Sequence, residues 1–273
     1  MQTIAVLLTV FNRKSKTLEC LKRLYSQLPI EGYQVDVYLT NDGCTDGTPE
    51  AVAFQYSQVR IINGNGTLFW NRGMYIAWQE AAKKNYDFYL WLNDDTILLP
   101  QALKEMLNNS ESKLNKSIIV AAIKAITETR TTYSGHNKNG LITPNGNLQL
   151  CDTFNGNCVL IPRYVFLRVG NLDWKFRHAI GDLDYGYRAK KAGIEAFVSP
   201  TYLGMCNNNP KLPAWTRKEV PLIKRIKNLY SPLGYAEPIP FFHFEKRNFG
   251  IVTAIKHFIS IHIRALFPQL WKK

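Results

Sequence analysis

The sequence predicts an α/β fold in which a mostly parallel central sheet is flanked by helices, and two observations carry that prediction. Between residues 4 and 108 a short apolar run is followed by a helical stretch four times over, a repetition that calls for parallel strands joined by crossover helices. The fourth run, Y-D-F-Y-L-W-L-N-D-D-T at residues 86–96, is apolar on both alternations, as in a buried strand, and stops abruptly at Asn93-Asp94-Asp95. In an open α/β sheet, ligands bind outside the carboxyl ends of the strands, so two acids there suggest a cation with something anionic behind it. A solvated turn in which Asp94 or Asp95 caps the next helix is the plainer reading, and the stretch alone does not choose between them.

Taken in order, residues 4–10 form the first strand, and the helix that follows runs from about residue 15 to 28, ended by Pro29. Residues 35–40 alternate as a second strand. Its exit loop, N-D-G-C-T-D-G-T, leads to a helix with Thr48 as N-cap and Pro49 in the first position. The spacing of Asp42, Cys44, Asp46 and Gly47 resembles the start of a calcium loop, but Ala53 stands where the bidentate glutamate is needed, which rejects that reading. A third strand at 59–62 enters the loop N-G-N-G-T-L-F-W-N-R-G, and a helix is expected from about Met74 to Lys84. The fourth strand is followed by a helix over 100–108 and a fifth strand over 118–123.

Beyond residue 124 the pattern changes. Thr, Asn and Gly dominate 125–160, and the turn pairs Asn139-Gly140 and Asn145-Gly146 suit hairpins. Asp182 is placed at the start of the helix G-D-L-D-Y-G-Y-R-A-K-K-A-G, which Gly193 should end. Prolines between about 207 and 240 predict loops. Residues 248–266 set Ile251, Ile255, Phe258, Ile259, Ile263 and Leu266 on one helical face; such a stripe most often packs on the protein's own core, and the basic surroundings with Trp271-Lys272-Lys273 put a membrane-surface helix level with that reading.

The chain carries a formal charge of +13, and residues 211–273 hold 12 Lys and Arg against 3 Glu, so the surplus belongs to the C-terminal segment. An anionic membrane, a lipid-linked phosphate or nucleic acid could answer such charge. No basic stripe interleaved with stacking aromatics marks a nucleic-acid fold, and nucleic acid is not expected as a partner. Five cysteines without C-x-x-C spacing read as reduced thiols in a cytosolic protein, and neither a signal peptide nor a spanning helix is expected. A G-x-G-x-x-G fingerprint after the first strand and a G-x-x-x-x-G-K-[ST] loop are both lacking, which removes most support for dehydrogenase and ATPase activities.

Several pieces coincide with one pattern. T-V-F-N-R at the first strand end, N-D-G-C-T-D-G-T after the second, F-W-N-R-G-M, W-L-N-D-D-T, G-D-L-D-Y-G-Y-R-A-K-K-A-G and, more faintly, E-K-R-N at 245–248 occur in the order found in inverting family-2 glycosyltransferases. The chain resembles that family, with its GT-A fold, and within it the rhamnosyltransferase-like enzymes of bacterial surface polysaccharide synthesis. The resemblance implies a glycosyltransferase domain over 1–206, with a donor-binding half at 1–124 and an acceptor side at 125–206. A basic extension follows over 207–273, with an amphipathic helix at about 248–267.

Residue by residue, the resemblance implies that Asp95 binds Mn²⁺ or Mg²⁺ on the donor diphosphate, with Asp94 by the ribose or the water shell of the metal. Thr9, Asn12, Arg13, Asn41 and Asp42 match positions that hold the nucleobase and ribose, and Arg72 falls in a loop expected to close over the nucleotide. Asp182 matches the catalytic base, which takes the proton of the acceptor hydroxyl as it attacks the anomeric carbon. Asp184, Trp70 and Asn155 are acceptor-side candidates; for Asp184 an ion pair with Arg188 ranks first. The sequence departs from the pattern at Asn93 and Gly181, where acids are common, at Asn41, where an Asp is common, and at Cys206 or Asn207, where many members carry a histidine. The expected partners are a nucleotide-sugar donor, a glycan or polyprenyl-linked acceptor and an anionic membrane face. The expected location is cytoplasmic, at the inner face of the cell membrane. A sugar nucleotidyltransferase and a non-catalytic glycan-binding module are the alternatives; the G-x-x-x-R-L type loop of the former is not found after the first strand.

Overall fold

The structure is a computed structural model and describes residues 1–208 and 212–270. Its first half repeats strand and helix as the sequence predicts: β1 (Gln2–Val10), α1 (Lys14–Tyr25), β2 (Tyr33–Asn41), α2 (Thr48–Gln55), β3 (Arg60–Asn63), α3 (Phe69–Ala82) and β4 (Phe88–Leu92). A short β5 (Ile97–Leu98), α4 (Ala102–Ser112) and β6 (Ile118–Lys124) follow. Side chains on a strand point alternately to its two faces, and β1 divides accordingly. Ile4, Val6 and Leu8 pack into one apolar layer with Leu21, Leu24 and Met106, while Ala5 and Leu7 pack into the other with Met74, Ala77 and Trp78. In β4, Phe88, Leu90 and Leu92 join the first layer and Tyr89 and Trp91 the second, so this strand is buried on both faces.

The second half supplies β7 (Thr131–Tyr133), β8 (Gly135–Asn137), β9 (Gly140–Leu141), β10 (Gln149–Cys151), β11 (Thr153–Phe154), β12 (Cys158–Pro162), α5 (Arg163–Val169), α6 (Gly181–Lys191) and β13 (Ala196–Met205). Along the main sheet the order is β10-β13-β6-β12-β4-β1-β2-β3. Pairing is parallel through β4, β1, β2 and β3 and between β6 and β13; β12 lies antiparallel between β4 and β6. A small sheet of order β11-β8-β9 contains the predicted hairpin at Asn139-Gly140, with Asn137 paired to Gly140. At Asn145-Gly146 there is a turn but no hairpin, because β10 pairs with β13.

Two helix starts differ from expectation. The N-cap of α2 is Gly47, at φ +76, and not Thr48; the Asp46 carboxylate accepts from both the amide and the hydroxyl of Thr48 and does the work expected of a capping side chain. Helix α3 begins at Phe69, five residues before Met74, so Trp70, Asn71 and Arg72 sit on its first turn instead of in a loop. That turn runs close under β1: a Cβ on Gly73 would lie 2.0 Å from the Thr9 hydroxyl oxygen. The glycine that reads as a loop signal is a packing requirement inside the helix.

The C-terminal extension is more helical than its prolines suggest. It folds as α7 (Leu222–Leu229), α8 (Pro238–Phe249) and α9 (Ile251–Leu266), with Pro238 in the first turn of α8, where no amide hydrogen is needed. The helix expected over 248–266 is α9, which starts at Ile251, because Gly250 at φ +91 separates it from α8. Trp271, Lys272 and Lys273 lie outside the described residues. The extension docks on α6 and the loop before it: Phe244 packs with Phe176 and Ile180, and Arg247 donates to Asp184 at 2.9 Å and to Asp173 at 2.6 Å. Asp184 is fully buried and also accepts from Arg188 at 2.8 Å. Closed in by two guanidinium groups, it is a structural carboxylate, and its candidacy for acceptor contact is withdrawn. Asp184→Asn leaves both guanidinium groups without their shared anion, and urea denaturation should record a loss of roughly 3 kcal/mol.

Candidate active site

The acid pair ends β4 at the sheet edge the sequence indicated. The Asn93 amide donates to the Asn157 carbonyl, which turns the chain out of the strand and leaves Asp94 and Asp95 beside the β1 exit loop. Arg13, at the cap of α1, spans both acids: its Nη1 lies 3.0 Å from Asp94 Oδ1 and 2.8 Å from Asp95 Oδ2, with Lys16 at 3.9 Å from the latter. Asp94 is buried, and burial pushes its carboxyl up to about 6 against the pull of Arg13. Its second oxygen, Oδ2, is buried without a hydrogen-bond partner.

This donor set suits a hard divalent cation. Mg²⁺ and Mn²⁺ take carboxylate oxygens, and a catalytic Mg²⁺ is held by one or two of them together with substrate phosphates. Asp95, with the unpaired Asp94 oxygen behind it, meets that need once a diphosphate supplies the remaining oxygens. Among the described residues no group of three His, Cys, Asp or Glu could hold a metal by itself. Burial and the neighbouring Asp95 push the Cys206 thiol up to about 12. Asn207 spends its carboxamide oxygen on the Ile126 amide.

The other candidates on the donor side form a bonded frame. Asn12, at φ +51, accepts from the Thr45 amide at 2.7 Å, and Asn41 accepts from the Cys44 amide while donating to Asn63. Asp42 is buried, and its two oxygens take the amides of Gly66, Leu68 and Phe69 at distances from 2.8 to 3.2 Å. These are free amides at the N-terminus of α3, so Asp42 decides where that helix starts. Arg72 points the other way from a closing loop: its Nε donates to the Trp174 carbonyl at 2.9 Å, and its guanidinium lies 4.8 Å from the centre of the Trp174 ring.

The first turn of α3 joins this edge to Asp182. Trp70 donates its indole N–H to the Asn93 carboxamide oxygen at 2.7 Å. Its ring fills the space a Cβ on Gly156 would need, at 2.5 Å. The Gly156 amide in turn donates to Asp182 Oδ2 at 2.9 Å, while Asp182 Oδ1 accepts from the Leu183 amide at 2.9 Å. Asp182 is the second residue of α6, not its N-cap. Gly181 opens the helix behind Ile180 at φ +78, and Gly181 must be a glycine because a Cβ there would lie 1.8 Å from Asn71 Oδ1. A glutamate at position 181, common in the pattern the chain resembles, is therefore excluded by the packing of Asn71. Burial lifts Asp182 above the ordinary carboxylate range although two backbone amides favour its ionised form. Asn155 is next to Gly156, and its carboxamide oxygen is 3.4 Å from the Ser134 amide.

The sequence did not single out Gly156, or Asn93 as a hydrogen-bond acceptor. Glycine in F-N-G-N reads as one more turn, and the bond from Trp70 to Asn93 exists only once α3 is docked.

A family model described as glycosyl transferase family 2 matches residues 5–173. No curated protein sequence matches the chain. Among solved structures, S. aureus TarS superposes with a TM-score of 0.60 at 13% identity, over 96% of this chain and 49% of that one, so the chain spans about half of TarS. The fragment TarS 1–349 in complex with UDP-GlcNAc gives 0.58 at 12% identity, covering 96% of this chain and 81% of that one. GalNAc-T7 with UDP, GalNAc and Mn²⁺ gives 0.60 at 13% identity, covering 96% and 54%. At such identities the likeness establishes the fold, which is of the GT-A type. With the family match spanning well over half of the sequence, the chain belongs to glycosyl transferase family 2.

Proposed function

We propose that the chain is an inverting, metal-dependent glycosyltransferase that moves a sugar from a nucleoside-diphosphate donor, dTDP-rhamnose or a UDP-hexose, to a glycan or polyprenyl-linked acceptor in bacterial surface polysaccharide synthesis. One observation carries it. The run of contacts from Asp94 and Asn93 through the Trp70 indole and Gly156 puts the Asp182 carboxylate across one aromatic side chain from the acid pair. An inverting transfer needs that arrangement, with leaving-group chemistry on one side of the sugar and a base on the other. The UDP-GlcNAc of TarS and the UDP and Mn²⁺ of GalNAc-T7 support the donor class and the metal.

In this reading Asp182 accepts the proton of the acceptor hydroxyl, each of its oxygens retaining a lone pair beyond its backbone N–H. Asp95, supported by Asp94, would hold a divalent cation, which would supply charge neutralisation for the diphosphate leaving group. Arg13, which spans both acids, would share the diphosphate charge. Asn12, Asn41 and Asp42 keep the β1 and β2 exit loops in place for the nucleoside. Because Asp182 must be ionised to act, transfer is full above its raised pKa and is lost as the pH falls through it. Asp182→Asn should lower kcat by about 10²- to 10⁴-fold with donor affinity unchanged. Asp95→Ala should abolish the extra thermal stabilisation that Mn²⁺ gives in the presence of nucleotide sugar. A fully active Asp182→Asn enzyme would refute the base, and an unaltered Mn²⁺ effect in Asp95→Ala would refute the metal site.

Attachment to an anionic membrane face belongs to the same proposal. Helix α9 packs inward through Ala254 and Ala265 and leaves Ile255, Ile259 and Ile263 exposed at 47%, 53% and 42%. Lys256 and Arg264 flank this stripe around an open groove of about 440 Å³. Apolar side chains bordered by cations match an anionic lipid surface in polarity and sign. No helix among the described residues is long and apolar enough to cross a membrane, so the attachment would be peripheral. Flotation with phosphatidylglycerol vesicles should recover the wild-type chain and lose the Ile259→Glu, Ile263→Glu double variant; equal recovery would remove the membrane from the proposal.

A further inference from the structure

The C-terminal extension, which lies wholly outside residues 5–173, closes on the loop that leads into α6 and Asp182. Arg177 is ion-paired with Glu237, with Nε at 3.3 Å. Next to that pair, the His178 ring meets the Tyr235 ring at a centroid distance of 5.4 Å on one side and the Phe69 ring at 6.3 Å on the other. Phe69 is the first residue of α3 and neighbours Trp70, while His178 stands four residues before Asp182. These rings thus join the start of α3, the loop that leads into α6 and the C-terminal extension.

Three details set the group apart from ordinary packing. Tyr235 is 46% exposed, and its backbone holds φ +60, a left-handed conformation unusual for an aromatic residue. That conformation is enforced from behind: the Trp215 indole donates to the Gly234 carbonyl at 2.9 Å, and Gly234 is pressed on the Asn228 carbonyl, leaving no room for a Cβ. A non-glycine residue kept at positive φ by its surroundings is a recognised sign of a functional position. The third detail is polar: His178 Nδ1 is buried and has no hydrogen-bond partner. Burial and the positive charge of Arg13 push this imidazole down to about 4, so it is neutral, with one nitrogen able to donate and the other able to accept. The influence of Arg13 also places His178 within electrostatic reach of the guanidinium that spans Asp94 and Asp95.

We propose that His178 and Tyr235, one from the loop before the base and one from the C-terminal extension, form a subsite for a hexopyranose ring, in which Tyr235 offers an aromatic face and His178 a hydrogen bond to a ring hydroxyl. The chemistry fits the ligand: a sugar presents C–H groups on the face of its ring and hydroxyls on the rim, and it needs a flat apolar wall beside a neutral polar group. A charged side chain would have to be desolvated there, whereas a neutral imidazole with an unmet nitrogen gains a partner when the sugar arrives. The proposal rests on the glycosyltransferase reading and extends it, because it makes the extension part of the binding site. The ring bound can come from the donor or from the acceptor.

Calorimetry on the full chain with Mn²⁺ distinguishes these sources, using UDP, dTDP, UDP-GlcNAc, UDP-glucose and dTDP-rhamnose as probes; methyl glycosides serve as acceptor probes in a transfer assay. The variants are Tyr235→Asn, which tolerates positive φ and removes the ring, Tyr235→Phe, which keeps the ring, and His178→Gln. For a donor-sugar subsite, Tyr235→Asn and His178→Gln weaken the nucleotide sugar about five- to tenfold and leave the free nucleotide unchanged. For an acceptor subsite both affinities stay constant and the KM for the methyl glycoside rises by a similar factor. In either case Tyr235→Phe behaves as wild type, and melting temperatures show that the variants are folded. The subsite is overturned if Tyr235→Asn matches wild type in all of these measurements, or if affinities for nucleotide and nucleotide sugar fall together, as a structural role would require. A wild-type chain that binds none of the nucleotides or nucleotide sugars overturns the glycosyltransferase reading itself, and the subsite with it.

Discussion

The carboxylate of Asp42 is the constraint on which the site depends. A buried anion at the end of β2 collects the amides of Gly66, Leu68 and Phe69, which are otherwise unpaired donors at the mouth of α3. Once the helix has to begin at Phe69, Trp70 is carried over to Asn93. Asn71 is then buried, with its side-chain N–H groups on the carbonyls of Asp173 and Phe176 and its own amide on Arg177. The loop that leads to Asp182 is thereby fastened to α3. A change at Asp42 would be felt at Asp182, although the two residues belong to distant parts of the sequence.

The two acids of α6 show how local surroundings separate like residues. Asp182 and Asp184 are two positions apart, which places them on different sides of the helix. One faces Gly156 and the cleft, where it meets backbone N–H groups and no cation, and burial raises its pKa. The other faces the C-terminal extension and is neutralised by Arg188 and Arg247. A carboxylate without a counter-ion can serve as a base near neutral pH, whereas one locked between two guanidinium groups is confined to holding elements together.

The extension divides its own side chains in a similar way. Helix α8 turns Phe244 and Arg247 toward the base loop, and α9 packs on the rest of the extension through small residues and through the ring of Phe258 on Phe242. Isoleucines then remain on the outer surface, so one segment is tied to the active site on its inner side and offers an apolar, cation-flanked face on the other. The contacts to α6 and the exposed isoleucine face thus belong to a single unit of the chain.

The sequence by itself determined the strand-and-helix repetition, the burial of residues 88–92 on both faces, the position of Asp94 and Asp95 at the strand end, though not the burial of Asp94, and the membership of the chain in its family. All of these follow from short-range signals: alternation, turn residues and motif spacing act within ten or so neighbours. What only the tertiary structure decided are the contacts that cross the molecule. Arg72 looked like a loop cation until α3 was seen to start at Phe69, and that start is set by an aspartate 27 residues upstream. For Asp184 the sequence ranked the ion pair with Arg188 first, but it gave no sign of Arg247, 63 residues away, as a second guanidinium on the same carboxylate. The departure at Gly181, which reads in the sequence as a lost acid, turns out to be the space taken by the Asn71 side chain. Long-range pairs of this kind leave no periodic trace in the chain, because what selects them is the shape of the packed interior.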